Sequence, residues 1–141
     1  MFDLTNRVHS GWTAGEQHFF LKEFKSYFSG KFEFCFIPIK THYSRIDELL
    51  RNLSKKDIII ALIFDAQANK TQRELLKRLQ NHRADVIFVL IENPFDIEFL
   101  DRNETCIITY GYRKSQLSSL LKVIFGKIKA NGCLPFKRIE A

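Results

Sequence analysis

The 141-residue sequence predicts an α/β fold: a three-layer α/β/α sandwich around a mostly parallel, doubly wound sheet of about five strands. Three observations predict it. The hydrophobic period switches repeatedly between that of a strand and that of a helix. Two strand-length runs, Ile58 to Phe64 and Val86 to Ile91, are apolar on both faces, as central parallel strands covered by helices on either side must be. Hydroxyl-x-x-acid signatures stand before three helical stripes, each matching a capping box. The length allows one core, so residues 1–141 are read as a single domain.

The elements follow in order. A weak strand is expected over Phe2 to Val8. Thr13-x-x-Glu16 introduces a helix whose apolar stripe is Phe20, Phe24, Tyr27 and Phe28. Phe32 to Ile39 is a strand, and Pro38, which cannot donate to a ladder, places it near a sheet edge. Ser44-x-x-Asp47 leads into the stripe Ile46, Leu49, Leu50 and Leu53; strand Asp57 to Phe64 comes next. Thr71-x-x-Glu74 leads into Leu75, Leu76 and Leu79, then strand Ala84 to Ile91. Asn93-Pro94 turns the chain outward, with Asp96 favouring a short segment from Ile97 to Leu100, and Thr105 to Tyr110 is the last strand. After Ser115, Leu117, Leu120, Leu121, Ile124 and Phe125 recur on one helix face, and Gly126 ends it. Strands alternating with helices over short connections give a flavodoxin-like winding.

Composition narrows the function classes. With 45% hydrophobic and 27% charged residues, 6 Gly and 3 Pro, the chain reads as globular, and its 14 Phe are the one oddity. Asp65 and Glu92 interrupt the longest apolar runs well short of the roughly 20 residues of a membrane span. Residues 1–10 carry Asp3, Asn6 and Arg7 with no apolar core, so no secretory signal is read there. The expected setting is cytoplasmic, with export of a longer parent left open. Cys35, Cys106 and Cys133 are odd in number and widely spaced, so they are read as reduced thiols. From Thr105 to Ile139 the chain carries Arg113, Lys114, Lys122, Lys127, Lys129, Lys137 and Arg138 with no Asp or Glu, so the net charge of +6 resides in that segment. No helix-turn-helix or aromatic interleaving accompanies them, so the basic face Lys122, Lys127 and Lys129 is read as docking on an acidic surface or solvated, not as a nucleic-acid site.

In an open parallel sheet, ligands bind beyond the carboxyl ends of the strands. The candidates there are Asp65, Gln67, Glu92, Asn93, Asp96 and Tyr110. Ser10 to Gly15 could hold a phosphate at a helix start, though it lacks a Gly-x-Gly-x-x-Gly pattern and a Walker lysine. Asp65 alone does not make the clustered acids of a phosphoacceptor site. His9, His18, His42 and His82 are scattered and no cysteine lies at ligand spacing from them, so no metal site is expected. Cys106 falls within an apolar strand, where a thiol is inert packing, and no nucleophile elbow is present. Asp65, Glu92, Asp96, Glu98 and Asp101 supply carboxylates, but no spacing sets two of them around a substrate.

The carboxy-terminal half contains an ordered series of landmarks: Asp85-Val86-Ile87-Phe88-Val89-Leu90, Asn93-Pro94-Phe95-Asp96-Ile97 and a strand ending Tyr110-Gly111. A helix finishing Leu121-Lys122-Val123-Ile124-Phe125-Gly126-Lys127 and the close Asn131-Gly132-Cys133-Leu134-Pro135-Phe136 complete it. This series resembles the C-terminal domain of glycoside hydrolase family 3, in particular its bacterial β-N-acetylhexosaminidase branch. There the signatures look like Asn-Pro-Tyr-Asp, Leu-Phe-Gly-Glu and Gly-Lys-Leu-Pro-Val. Cys133 stands where that pattern has lysine and Lys127 where it has an acid.

The resemblance implies a role in carbohydrate metabolism. The chain would be a non-catalytic domain whose parent hydrolyses O-glycosidic bonds of N-acetylglucosaminides on a separate (β/α)8 barrel. Nothing in the chain matches the Lys-His-Phe-Pro-Gly type of motif of that barrel, so no catalytic residue carries over and Glu92 stays a test candidate. It implies no cofactor and no metal. The partner implied is the barrel of the same parent, with no nucleic acid and no membrane; the chain alone is expected to be inactive, with self-association of the isolated domain left open. The alternative is a free-standing flavodoxin-like module binding a phosphate-bearing ligand at Ser10 to Gly15.

Overall fold

The computed structural model describes residues 2–3, 14–37, 41–53, 57–82 and 84–139. Among the described residues there are five strands: β1 (Phe2–Asp3), β2 (Cys35–Phe36), β3 (Ile58–Ile63), β4 (Asp85–Leu90) and β5 (Thr105–Ile108). The helices are α1 (Ala14–Tyr27), α2 (Tyr43–Arg51), α3 (Lys70–Gln80) and α4 (Lys114–Ile124), with a 3-10 helix at Pro94–Phe99 between β4 and β5. The sheet is open and parallel, in the order β2-β1-β3-β4-β5. Its developed part is three strands. β3 and β4 pair over six residues each, from Ile58 beside Asp85 to Ile63 beside Leu90, and β5 pairs from Thr105 beside Ile87 to Ile108 beside Leu90. β1 and β2 are two-residue pairings, so the expected sheet of about five full strands is met in length by three.

Alternation along β3 places the core. Ile59, Ala61 and Ile63 face one cluster with Ile46 and Leu50 of α2 and Leu75, Leu76 and Leu79 of α3. Ile60, Leu62 and Phe64 face the other with Phe20 and Phe24 of α1 and Leu117, Leu120 and Leu121 of α4. Because the side-chain period of a strand is two, an apolar residue at every position requires helices on both faces. Ile59 to Phe64 are all buried, as that pattern demands. β2 lies at the sheet edge, where Pro38 placed it; Pro38 itself and Leu4 to Val8 of the first expected strand lie outside the described residues.

Two helix starts differ from expectation. α2 is capped by His42, whose Nδ1 accepts from the Ser44 amide at 3.3 Å, rather than by Ser44. α3 starts at Lys70 after Asn69 rather than at Thr71. The reason is a preformed turn: the Asn69 amide and Nδ2 both donate to the Asp65 carbonyl, at 3.1 and 3.0 Å, so the helix is entered before the hydroxyl is reached. Thr13, the third expected cap, lies outside the described residues. β5 is shorter than expected because Tyr110 is left-handed, at φ 57°, and Thr109 Oγ1 donates to the Gly111 carbonyl at 2.7 Å, turning the chain.

No α-helix joins β4 to β5, and the carboxy-terminal tail covers that side. Leu134 and Phe136 join the cluster that holds Cys106 and Ile108, and the Phe136 ring stacks on Phe95 with centroids 4.5 Å apart. Arg138 Nη2 donates to the carbonyl of Ile97 at 2.8 Å and also to that of Leu100, tying the tail to the end of the 3-10 helix.

Candidate functional site

The expected site lies where β3, β4 and β5 end, and the chain laces those ends together. After Phe64 the backbone turns through Asp65 in a left-handed conformation, φ 46°. Asp65 Oδ1 accepts from Asn93 Nδ2 at 3.0 Å, which joins the loop after β3 to the loop after β4. Asp96, fully buried, accepts from the amides of Ala66 and Gln67 at 2.7 and 3.0 Å. It therefore braces the β3 loop rather than starting the Ile97 segment; the 3-10 helix is capped by Asn93, whose Oδ1 accepts from the Phe95 amide at 3.0 Å. Burial pushes the Asp96 carboxyl up to about 6 and Asp65 adds to the rise, against the two amides and Arg73, which lower it.

Around this brace stand residues that sequence reasoning passed over. Gln72 is buried and its Oε1 accepts from the Phe64 amide at 2.6 Å, closing the end of β3. Its signal was present: position 72 continues the stripe of 75, 76 and 79, and a polar residue on a buried stripe needs a partner. Arg73 Nη2 donates to the Gln67 carbonyl at 3.0 Å, and its guanidinium lies 5.2 Å from the centroid of Phe99. Thr109 Oγ1, whose one proton goes to the nearer Gly111 carbonyl, also lies 3.1 Å from the Ile91 carbonyl, and Gln116 Oε1 accepts from the Arg113 amide at 3.0 Å.

Glu92, Gln67 and Tyr110 are exposed on this end of the sheet. Partial burial raises the Glu92 carboxyl and the charge on Asp65 adds to it; the Tyr112 phenol is raised by burial, then by Glu92 and Glu16. The arrangement is a rigid, acid-bearing rim. The Asp96 carboxylate occupies the two loop amides that could otherwise hold an anion, and the Cys106 thiol, pushed by burial up to about 12, is no nucleophile. Among the described residues no group of three or more His, Cys, Asp or Glu is placed to hold a metal, and no helix is long and apolar enough to cross a membrane. Of the Ser10 to Gly15 segment, Ser10 to Thr13 lie outside the described residues and Ala14 and Gly15 form the start of α1.

The basic candidates lie elsewhere. Lys122, Lys127 and Lys129 are exposed at the end of α4, where Gly126 turns left-handed at φ 68° and the Lys127 amide returns to the Lys122 carbonyl at 2.8 Å. That end abuts the beginning of β3: Ile124 and Phe125 share a cavity of about 790 Å3 with Asp57 and Ile58. The structure thus brings Asp65, Gln67, Glu92, Asn93, Asp96 and Tyr110 to one end of the sheet and separates the lysines from them by the length of α4.

No family model and no curated protein matches the chain. Two solved structures do. One is a fungal multi-domain GH3 β-N-acetylglucosaminidase in which a GCN5-related glucosamine N-acetyltransferase region exists, with TM-score 0.73 and 16% identity over 97% of this chain and 15% of that one. The other is a glycoside hydrolase family 3 β-N-acetylglucosaminidase from Paenibacillus sp. str. FPU-7, with TM-score 0.76 and 20% identity over 95% of this chain and 26% of that one. The chain therefore spans a minor part of either protein, and at these identities what it shares with them is the fold.

Proposed function

We propose that this chain is a non-catalytic domain associated with a family 3 glycoside hydrolase, the companion of a (β/α)8 barrel that hydrolyses N-acetylglucosaminides. On this reading the complete fold is a five-stranded, three-layer sandwich like that of the family's C-terminal domain. The observation that carries it is the pair of fold matches to GH3 β-N-acetylglucosaminidases, covering 97% and 95% of this chain and 15% and 26% of the other. The landmarks from Asp85 to Phe136 support it independently, because they were read from residues alone. The geometry agrees with a supporting role. The strand-end carboxylates brace loops, and the rim of Gln67, Glu92 and Tyr110 faces outward, available to the barrel.

The experiment is hydrolysis of a chromogenic N-acetylglucosaminide by the purified chain. The expected result is no turnover above buffer. Turnover that disappears in Glu92→Gln would overturn the reading, since Glu92 is the exposed strand-end carboxylate with a raised affinity for its proton.

A further inference from the structure

An asparagine side chain can be attacked by the backbone nitrogen of the residue that follows it. The attack needs that nitrogen free of a hydrogen bond and a following residue without the side-chain bulk that hinders the turn, which glycine alone supplies. Asn6 lies outside the described residues, and five of the other asparagines are closed to the reaction. Pro94 follows Asn93 and has no amide hydrogen. The amides after Asn52, Asn81 and Asn103 are held: Leu53 donates to the Leu50 carbonyl at 3.2 Å, His82 to Leu79 at 3.0 Å and Glu104 to Asp101 at 3.2 Å. Asn69 has its Nδ2 bound to the Asp65 carbonyl at 3.0 Å and leads straight into α3 at Lys70.

Asn131 differs at each point. It is exposed, and the residue after it is Gly132, also exposed. Among the described residues neither takes part in a hydrogen bond. A Cβ built on Gly132 meets no atom within 4 Å, so nothing crowds the turn that the attack requires. The pair lies in a span without regular structure, residues 129–134, between two fixed points. On one side the Lys127 amide closes the end of α4 on the Lys122 carbonyl, and on the other Leu134 enters the core cluster.

We propose that Asn131-Gly132 is a site of spontaneous modification, at which the folded chain forms a succinimide and then aspartate or isoaspartate. The Gly132 nitrogen bonds to Asn131 Cγ, the Cγ–Nδ2 bond breaks, and the Gly132 amide proton leaves with Nδ2 as ammonia. Water then opens the ring. Attack at Cγ restores the main chain with an aspartate side chain; attack at the Asn131 main-chain carbonyl carbon reroutes the chain through Cγ as isoaspartate. Either product puts a carboxylate into a segment, Thr105 to Ile139, that has no Asp or Glu. Isoaspartate also adds a methylene to the main chain shortly before Leu134 docks. This inference stands apart from the glycosidase reading, because it rests on the tail's own chemistry.

The test ages the full chain at mildly alkaline pH, digests it with pepsin at acid pH and follows peptide masses with time. Isoaspartate is counted separately, by methyl transfer from S-adenosylmethionine with an isoaspartyl methyltransferase. The expected result is the mass gain of amide-to-acid conversion in the peptide bearing Asn131 before any other, with methyl-accepting isoaspartate appearing alongside it. Its rate in the folded chain is within fivefold of that in a free peptide of residues 127–135. Gly132→Ala, whose methyl group enters open space and leaves the thermal melt unchanged, slows the gain at least fivefold. Earlier conversion of another asparagine, a folded-chain rate more than fivefold below the free peptide's, or a smaller slowing in Gly132→Ala overturns the proposal.

Discussion

At Asp96, burial and hydrogen bonding oppose each other. Its folded-state affinity for a proton is raised, to about 6, so the neutral form is favoured relative to the unfolded chain. The sign follows by linkage: this contribution to stability is full below the ordinary carboxylate range and is lost as pH rises through about 6. Urea denaturation from pH 4 to pH 7 should show a decline of up to roughly 3 kcal/mol from this group. Asp96→Asn, which turns an amide N–H toward one of the two loop amides, should cost about 1–3 kcal/mol at pH 5 and flatten the decline. Tyr110 is the complementary case. It holds φ 57° while 48% exposed. A left-handed, half-exposed tyrosine is strained without a packing return. Tyr110→Gly should therefore raise stability by about 1–2 kcal/mol in the same denaturation assay. Residue chemistry was partly legible in the sequence. The strand-end acids were found from their position after apolar runs, but which of them would be buried was not, because that depends on the Asn93 cap drawing Asp96 beneath the β3 loop.

The tail from Leu134 to Ile139 acts as an element although it has no regular secondary structure. It covers the face of β5 that a crossover helix would otherwise cover, using the Phe136–Phe95 stack and the bonds from Arg138 to the ends of the 3-10 helix. Arg138→Ala should cost about 1–3 kcal/mol, the scale of leaving the buried Leu100 carbonyl without its donor, since the Ile97 carbonyl keeps the Leu100 amide. Native-state alkylation followed by peptide mass analysis gives a local readout. In the parent chain Cys133, exposed, is expected to react and Cys106 to remain protected; in Arg138→Ala, Cys106 should become labelled. Elements were the most legible level in the sequence: all four apolar stripes fall on observed helices, three of them running past the helix end at Phe28, Leu53 and Phe125, and the two doubly apolar runs are the central strands. The caps were missed because His42 Nδ1 takes the Ser44 amide, and because the Asp65–Asn69 turn starts the helix before Thr71 is reached. The tail's docking has no local period to encode it.

Across the whole molecule, the strand-end carboxylates and the lysines at the end of α4 stand apart, although Glu33 and Asp57 line the cavity at the lysine end. The strand-end rim carries Asp65, Glu92 and Asp96, and the far end carries Lys122, Lys127 and Lys129 beside the phenylalanine-walled cavity. The cavity itself was not foreseen, although 14 Phe in 141 residues was its compositional trace. At this scale the companion-domain reading makes a direct demand: the chain must serve where the family's own domain serves. The most direct measurement replaces, in the Paenibacillus enzyme, the 26% of its chain that this fold matches with residues 2–139 of this protein, and assays N-acetylglucosaminide hydrolysis beside a variant from which that part is deleted. The account predicts turnover by the chimera well above that of the deletion, and a folded chimera as inactive as the deletion would contradict it.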